Sequence, residues 1–283
     1  MFYQMEKICP QITRIWDVSH TACYLIEGAQ AAVLVDTGVG VGSLKSEIEA
    51  LTAKPVTVLL THGHVDHAMG AAEFDRVFMN LADLDVMKIH GQMAVRTQYV
   101  NGAGMLGGDP AVIRGISQAD YLPVIQPERL QPLEDGAQFP LGGLTVQVLS
   151  CPGHTPGSMV MLIPELRTLI LGDACNGFTY LFDPWCPTVA QYRENLLRLR
   201  DQTAGAYDRT LFNHGTGEGS PDMVDHVIQV CDDILAGKAD NQPFQIPVGD
   251  PVDAVIAKEM DFQHFCRADG GDGNVIYCPA RIR

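Results

Sequence analysis

A chain of 283 residues that is 46% hydrophobic and 19% charged can bury a core, which excludes a disordered chain. No apolar run approaches the roughly 20 residues that a membrane span requires, and a formal charge of −15 argues against a nucleic-acid partner, since such proteins carry basic patches. The eight cysteines are scattered from Cys9 to Cys278 without a CxxC pair, and the start, MFYQMEKICPQITRIW, has no basic region followed by an apolar stretch; reduced thiols in a cytoplasmic protein are expected.

In chain order, QITRIWDV, ACYLIEG and AAVLVDTG are short β-rich runs divided by turn residues, which predicts an antiparallel meander. GSLKSEIEALTA follows with apolar residues at Leu44, Ile48 and Leu51, a helical period. PVTVLLTH is a continuous apolar run of strand length, as for a strand buried on both faces. RVFMN reads as a further strand and LADLDVMKIHG as a helix. From Gln92 to Glu128 the pattern weakens; with NGAGMLGGDP at its centre, this segment is expected to be an insertion or mobile loop with short helical pieces around it. LTVQVLSCPGHTPG, SMVMLIP and RTLILGDA predict three more strands. TVAQYRENLLRLRDQTAG predicts a helix with a Thr188–Gln191 capping box and Gly205 near its end. RTLFNHG predicts a strand, SPDMVDHVIQVCDDILAG a helix capped by Ser220 with Pro221 in its first turn, and GNVIYCP a last strand. No repeat or linker divides the chain, so residues 1–283 are expected to form one domain.

The chemistry concentrates where strands stop. His62, His64, Asp66 and His67 fall within six residues directly after the buried run TVLL. Imidazole nitrogens and a carboxylate are what a borderline divalent cation such as zinc accepts. One loop supplies too few ligands for two sites, and the remaining strand ends offer more: His154 after VLS, Asp173 after LIL and His214 after LF, each beside a glycine that lets backbone approach a ligand closely. Three imidazoles crowded after one buried strand gain nothing from packing alone. By contrast, His20, His90, His226 and His264 read as ordinary surface or core residues, and Cys151 and Cys175 as small buried hydrophobes.

HxHxDH, a later GHTPG turn, then GDA and a late NHG together resemble the metallo-β-lactamase fold superfamily, over about residues 12–235; VDTG, with Asp36, matches its early motif. The resemblance implies an α/β fold, an αββα sandwich of two mixed sheets with helices outside. It implies two divalent metal ions, zinc first, with iron or manganese as alternatives. His62, His64 and His154 would hold one ion, Asp66, His67 and His214 the other, and Asp173 would bridge. A metal-held hydroxide would attack, and Asp66 would shuttle its proton. Asp36 would hydrogen-bond a ligand histidine. A small-molecule ester, lactone or thioester is the expected substrate. A β-lactam, a phosphodiester or an iron-dependent sulfur dioxygenase reaction remains an alternative, since fold does not settle function. Tyr99, Tyr121, Phe178, Tyr180, Phe182 and Trp185 are the aromatics expected to line an apolar pocket. The oligomeric state is left open, a homodimer being compatible.

Overall fold

The computed structural model describes residues 2–246, 251–262 and 266–283. The histidine at 264 lies outside the described residues. The meander is β1 (Gln4–Cys9), β2 (Ile12–Trp16), β3 (Ala22–Glu27) and β4 (Ala32–Val35), all antiparallel. After α1 (Leu44–Leu51) the chain adds β5 (Val56–Leu59) parallel to β4. Then come α2 (Val65–Ala68), β6 (Val77–Met79), α3 (Leu84–His90), α4 (Met93–Gly102), α5 (Pro110–Arg114) and β7 (Leu130–Pro132). These strands form one mixed seven-stranded sheet in the order β1 to β7.

A second sheet of six strands has the order β14-β13-β11-β10-β9-β8, built from β8 (Gln138–Pro140), β9 (Thr145–Ser150), β10 (Met159–Ile163), β11 (Thr168–Ile170), β13 (Arg209–Leu211) and β14 (Glu218–Gly219). β12 (Thr179–Leu181) leaves it to start a small sheet with β15 (Gln242–Pro243), β16 (Val255–Ile256) and β19 (Val275–Tyr277). α6 (Val189–Thr203) and α7 (Met223–Leu235) cover the outer face, and β17 (Met260–Asp261) pairs with β18 (Cys266–Arg267).

The period of two decides the layering. On β3, Cys23 and Leu25 face the α1–α3 side, while Ala22, Tyr24 and Ile26 face the other sheet. On β10, Met159, Met161 and Ile163 meet them from the second sheet, while Val160 and Leu162 turn outward beneath Leu196 of α6 and Val227 of α7. Four layers result, helix–sheet–sheet–helix, as the resemblance implied.

Two details differ from the sequence reading. The last long helix begins at Met223, capped at Asp222; the Ser220 hydroxyl accepts the Asp222 N–H and so closes the turn before the helix. The 92–128 segment carries more helix than its composition suggests. Val100 of α4, Ala103 in the turn after it and Ile113 of α5 pack against Val18, Val39 and Val41.

Arg96 fastens that segment. Buried to 1% exposure, it donates to the carbonyls of Leu122 (2.7 Å), Val39 (3.0 Å) and Gly40 (3.0 Å), and its guanidinium lies 5.2 Å from the centre of the Tyr121 ring. Gly40 also accepts the Leu122 N–H, so removal of the guanidinium strands the Val39 and Leu122 carbonyls. Arg96→Met is therefore expected to lower the unfolding free energy by about 3 kcal/mol, read from urea denaturation. A loss below about 1 kcal/mol would show that water reaches those carbonyls.

Candidate metal centre

Seven side chains converge at one edge of the sandwich, each delivered by a strand end. β5 runs out at Leu59 and places His62 and His64 in the turn that follows; α2 then carries Asp66 and His67 on adjacent positions. The β9–β10 turn brings His154, the exit of β11 brings Asp173, and the exit of β13 brings His214. His62, His64, Asp66, His67, His154 and Asp173 are all buried, and only His214, a third exposed, faces the surroundings.

The tautomers are set from behind. His62 Nδ1 lies 3.0 Å from Thr61 Oγ1, whose own proton goes to Asp36 Oδ2 at 2.7 Å, so the imidazole N–H donates to the hydroxyl. His67 Nδ1 donates to Asp36 Oδ2 at 2.9 Å, and His154 Nδ1 to the Tyr180 carbonyl at 2.9 Å. In each case Nε2 is left to face inward. His62 Nε2 and His67 Nε2 are buried without any hydrogen-bond partner. His64 turns its Nδ1 to within 2.9 Å of His154 Nε2.

Asp36 has left-handed backbone (φ 62°), a strained state for a residue with a side chain. The twist lets its carboxylate receive the Thr61 N–H (2.7 Å) and Asn213 Nδ2 (2.8 Å) as well as His67.

The donors fall into overlapping triads, with ligand atoms within 4.8 Å of one another: His62, His64 and His154; Asp66, His67 and His214; and His62, His67 and Asp173. Asp173 Oδ2 sits 3.0 Å from His214 Nε2, 3.5 Å from His67 Nε2 and 3.7 Å from His154 Nε2, so it reaches both sides.

The electrostatics fit a cation. Burial, then repulsion from His67 and His154, holds His62 well below the ordinary imidazole pKa; burial, then His90 and His154, does the same to His64. Burial also opposes charge on His67 and His214. There, however, carboxylates outweigh it, Asp66, Asp173 and Asp36 around His67 and chiefly Asp173 around His214, and both pKa values rise. Asp173 is driven well below the usual carboxylate range, with burial resisting and His214 and His67 prevailing. Asp36, Asp66 and Asp173 set negative charge among the imidazoles, a pattern that a divalent ion fits, with nitrogen and oxygen donors suited to zinc.

Of the aromatics expected at a pocket, Tyr99 on α4 donates its hydroxyl to Asp66 Oδ2 at 2.6 Å, and Thr21 Oγ1 joins at 3.3 Å. Burial, then Asp66 itself, raises the Tyr99 pKa, so the phenol keeps its proton. The Trp185 ring lies 6.1 Å from that of His64. Phe178, Tyr180 and Phe182 gather with Phe244 in the small sheet; the Tyr180 ring is 6.4 Å from His154 and 5.6 Å from Phe244. Tyr121 is not brought to the cluster: it bridges to Val41 and packs beneath Arg96. Cys151 and Cys175 lie in the apolar core under α6 and α7.

Sequence reasoning passed over His90, which stacks on His64 (4.3 Å, 26°) and accepts the Val65 N–H at Nδ1 (3.3 Å); burial first pushes its pKa down to about 4. Thr21, Thr61 and Asp83 carry no motif that marks them. Asn213 does stand inside NHG, next to a ligand position.

The profile of the metallo-beta-lactamase superfamily matches residues 16–214. The human acyl-coenzyme A thioesterase MBLAC2 is 26% identical over 211 residues, covering 68% of this chain and 71% of that protein. Among solved structures, an archaeal metallo-beta-lactamase superfamily protein from Sulfolobus tokodaii aligns with TM-score 0.54 and 19% identity, over 82% of this chain and 86% of its own. The metallo-beta-lactamase FIM-1 from Pseudomonas aeruginosa aligns with TM-score 0.56 and 15% identity, over 81% and 94%. With the profile spanning most of the sequence and the donors of its motifs gathered at one sheet edge, the chain belongs to the metallo-beta-lactamase superfamily.

Proposed function

We propose that this metal-dependent hydrolase cleaves a small acyl substrate, a thioester first and an ester or lactone of similar size next, using two zinc ions. The observation that carries the reading is Asp173 Oδ2, which stands within 3.7 Å of donors in both triads and so suits a dinuclear cage. Likeness to a thioesterase supports the acyl class. The aromatic shelf of Tyr180, Phe182 and Phe244 beside His154 suits an apolar acyl group. On this reading the whole chain is one domain, with residues 92–128 as an insertion that delivers Tyr99.

Two bound cations would supply Lewis acidity and bring a water toward ionisation near neutral pH. The protein's own groups do the rest. His62, His64 and His154 would hold one cation and Asp66, His67 and His214 the other, with Asp173 shared. Asp66 Oδ2 is already engaged by Tyr99 and Thr21, so the nucleophile's proton is taken at Oδ1 and passed to the leaving group. Tyr99 keeps the carboxylate in the orientation for that transfer.

The experiment is a panel of acyl thioesters, lactones, esters, β-lactams and phosphodiesters, each tested with protein of measured metal content. Fastest turnover on a β-lactam or phosphodiester would overturn the acyl assignment, and activity that tracks iron would overturn zinc. Tyr99→Phe is expected to reduce turnover about tenfold, the value of one hydrogen bond to a charged group, with metal content unchanged. Unaltered turnover would remove Tyr99 from the mechanism.

A further inference from the structure

Between the two loops that carry the first triad lies a carboxylate belonging to neither. Asp83 stands at the start of α3 with 0% exposure, and its side chain does not cap that helix. Instead Oδ2 accepts the Gly63 N–H (2.9 Å) and the Thr155 hydroxyl (2.7 Å), while Oδ1 accepts the Gly157 N–H (2.6 Å). Gly63 separates His62 from His64, and Thr155 and Gly157 follow His154. One buried carboxylate thus joins the HxH turn to the GHTPG turn.

The glycines of both turns are shaped around it. A Cβ at Gly157 would fall 2.7 Å from Asp83 Cγ and Oδ1, and one at Gly63 would fall 2.9 Å from the Asp83 carbonyl oxygen. Neither glycine has positive φ, so close approach explains the absence of a side chain at each. His64 Nδ1 and His154 Nε2 meanwhile stand 2.9 Å apart although their residues are 90 positions apart in the chain. A cation between them would take both lone pairs and leave no hydrogen bond joining the two loops there, so their register would rest on the groups behind them.

We propose that Asp83 is a positioning residue for the first metal site alone, locking its two loops in register and thereby setting that site's affinity. The proposal rests on the reading of His62, His64 and His154 as a cation site. Asp36 differs in reaching both sides, His67 directly and His62 through the Thr61 hydroxyl.

Asp83→Asn keeps the size but turns an amide N–H₂ toward a backbone or hydroxyl donor, so one tie is lost. The variant is made in two backgrounds. His214→Ala leaves the first triad whole, and His154→Ala leaves Asp66, His67 and His214 of the second. Zinc(II) affinity is measured by competition with a chromophoric chelator. Asp83→Asn is expected to weaken zinc about 10–100-fold in the His214→Ala background and by about twofold or less in the His154→Ala background, the scale found for groups that orient ligands. Thr155→Val, which deletes one of the three ties, is expected to weaken it less in the first background and to leave the second unchanged; it carries the test if Asp83→Asn does not fold. Equal weakening in both backgrounds, or none in either, overturns the proposal. If the two histidine variants bind as much zinc as the parent, the ligand assignment itself fails, a result separable from any effect at Asp83.

Discussion

Asp173→Ala is expected to empty both halves of the metal centre together. Its Oδ2 lies within 3.7 Å of His154 on one side and of His67 and His214 on the other, so in the proposed assignment one truncation removes a donor and a negative charge from each. Metal analysis after dialysis is expected to fall from two ions per chain to fewer than one. Turnover is expected to fall about 10³-fold or more, since the cations supply several kcal/mol to the transition state and each 1.4 kcal/mol is tenfold. His154→Ala provides the contrast, with loss mainly of the first ion. If the Asp173 variant loses a single ion and keeps the other at full occupancy, the bridge is refuted.

Asp66→Asn is the second large effect. The amide keeps the volume and one oxygen, but it carries no charge and does not take up the nucleophile's proton. Turnover is expected to drop about 10²-fold or more, the scale of general acid–base help. The drop should be smallest for substrates whose leaving group departs without a proton, such as an activated aryl thioester. The first ion, held by three histidines in the proposed assignment, stays bound; occupancy of the second is measured on the same sample. Wild-type turnover on a poor leaving group with both ions present would leave Asp66 as a ligand only.

The layers of this fold were reached through the family resemblance, because β3, β4 and β10 are apolar on both faces and only the folded chain assigns their alternate residues to two cores. The histidines and carboxylates were legible for a different reason: donor types without a packing role stood at strand ends. What escaped was whatever acts through shape at long range. Asp83 reads as one acidic residue at a helix start, and only the folded chain shows both turns closing on it. Tyr121 and Tyr99 lie in the same weakly patterned segment, and composition could not say which would meet Asp66 and which would pack under Arg96. The short strands β12, β15 and β16 are two or three residues long, too short to show a period.

The cage draws on both sheets at once. His62, His64, Asp66 and His67 follow β5 of the first, while His154, Asp173 and His214 leave strands of the second. A cation held there is in effect a removable cross-link between halves of the molecule that the unfolded chain keeps far apart, and it has nothing comparable to grip before they meet. Binding then feeds directly into folding: at a free concentration one hundred times the dissociation constant it adds about 2.7 kcal/mol, a sizeable fraction of the stability of an ordinary domain. On this ground a chain short of metal is expected to be less stable and more open to proteolysis, quite apart from how fast any molecule turns over.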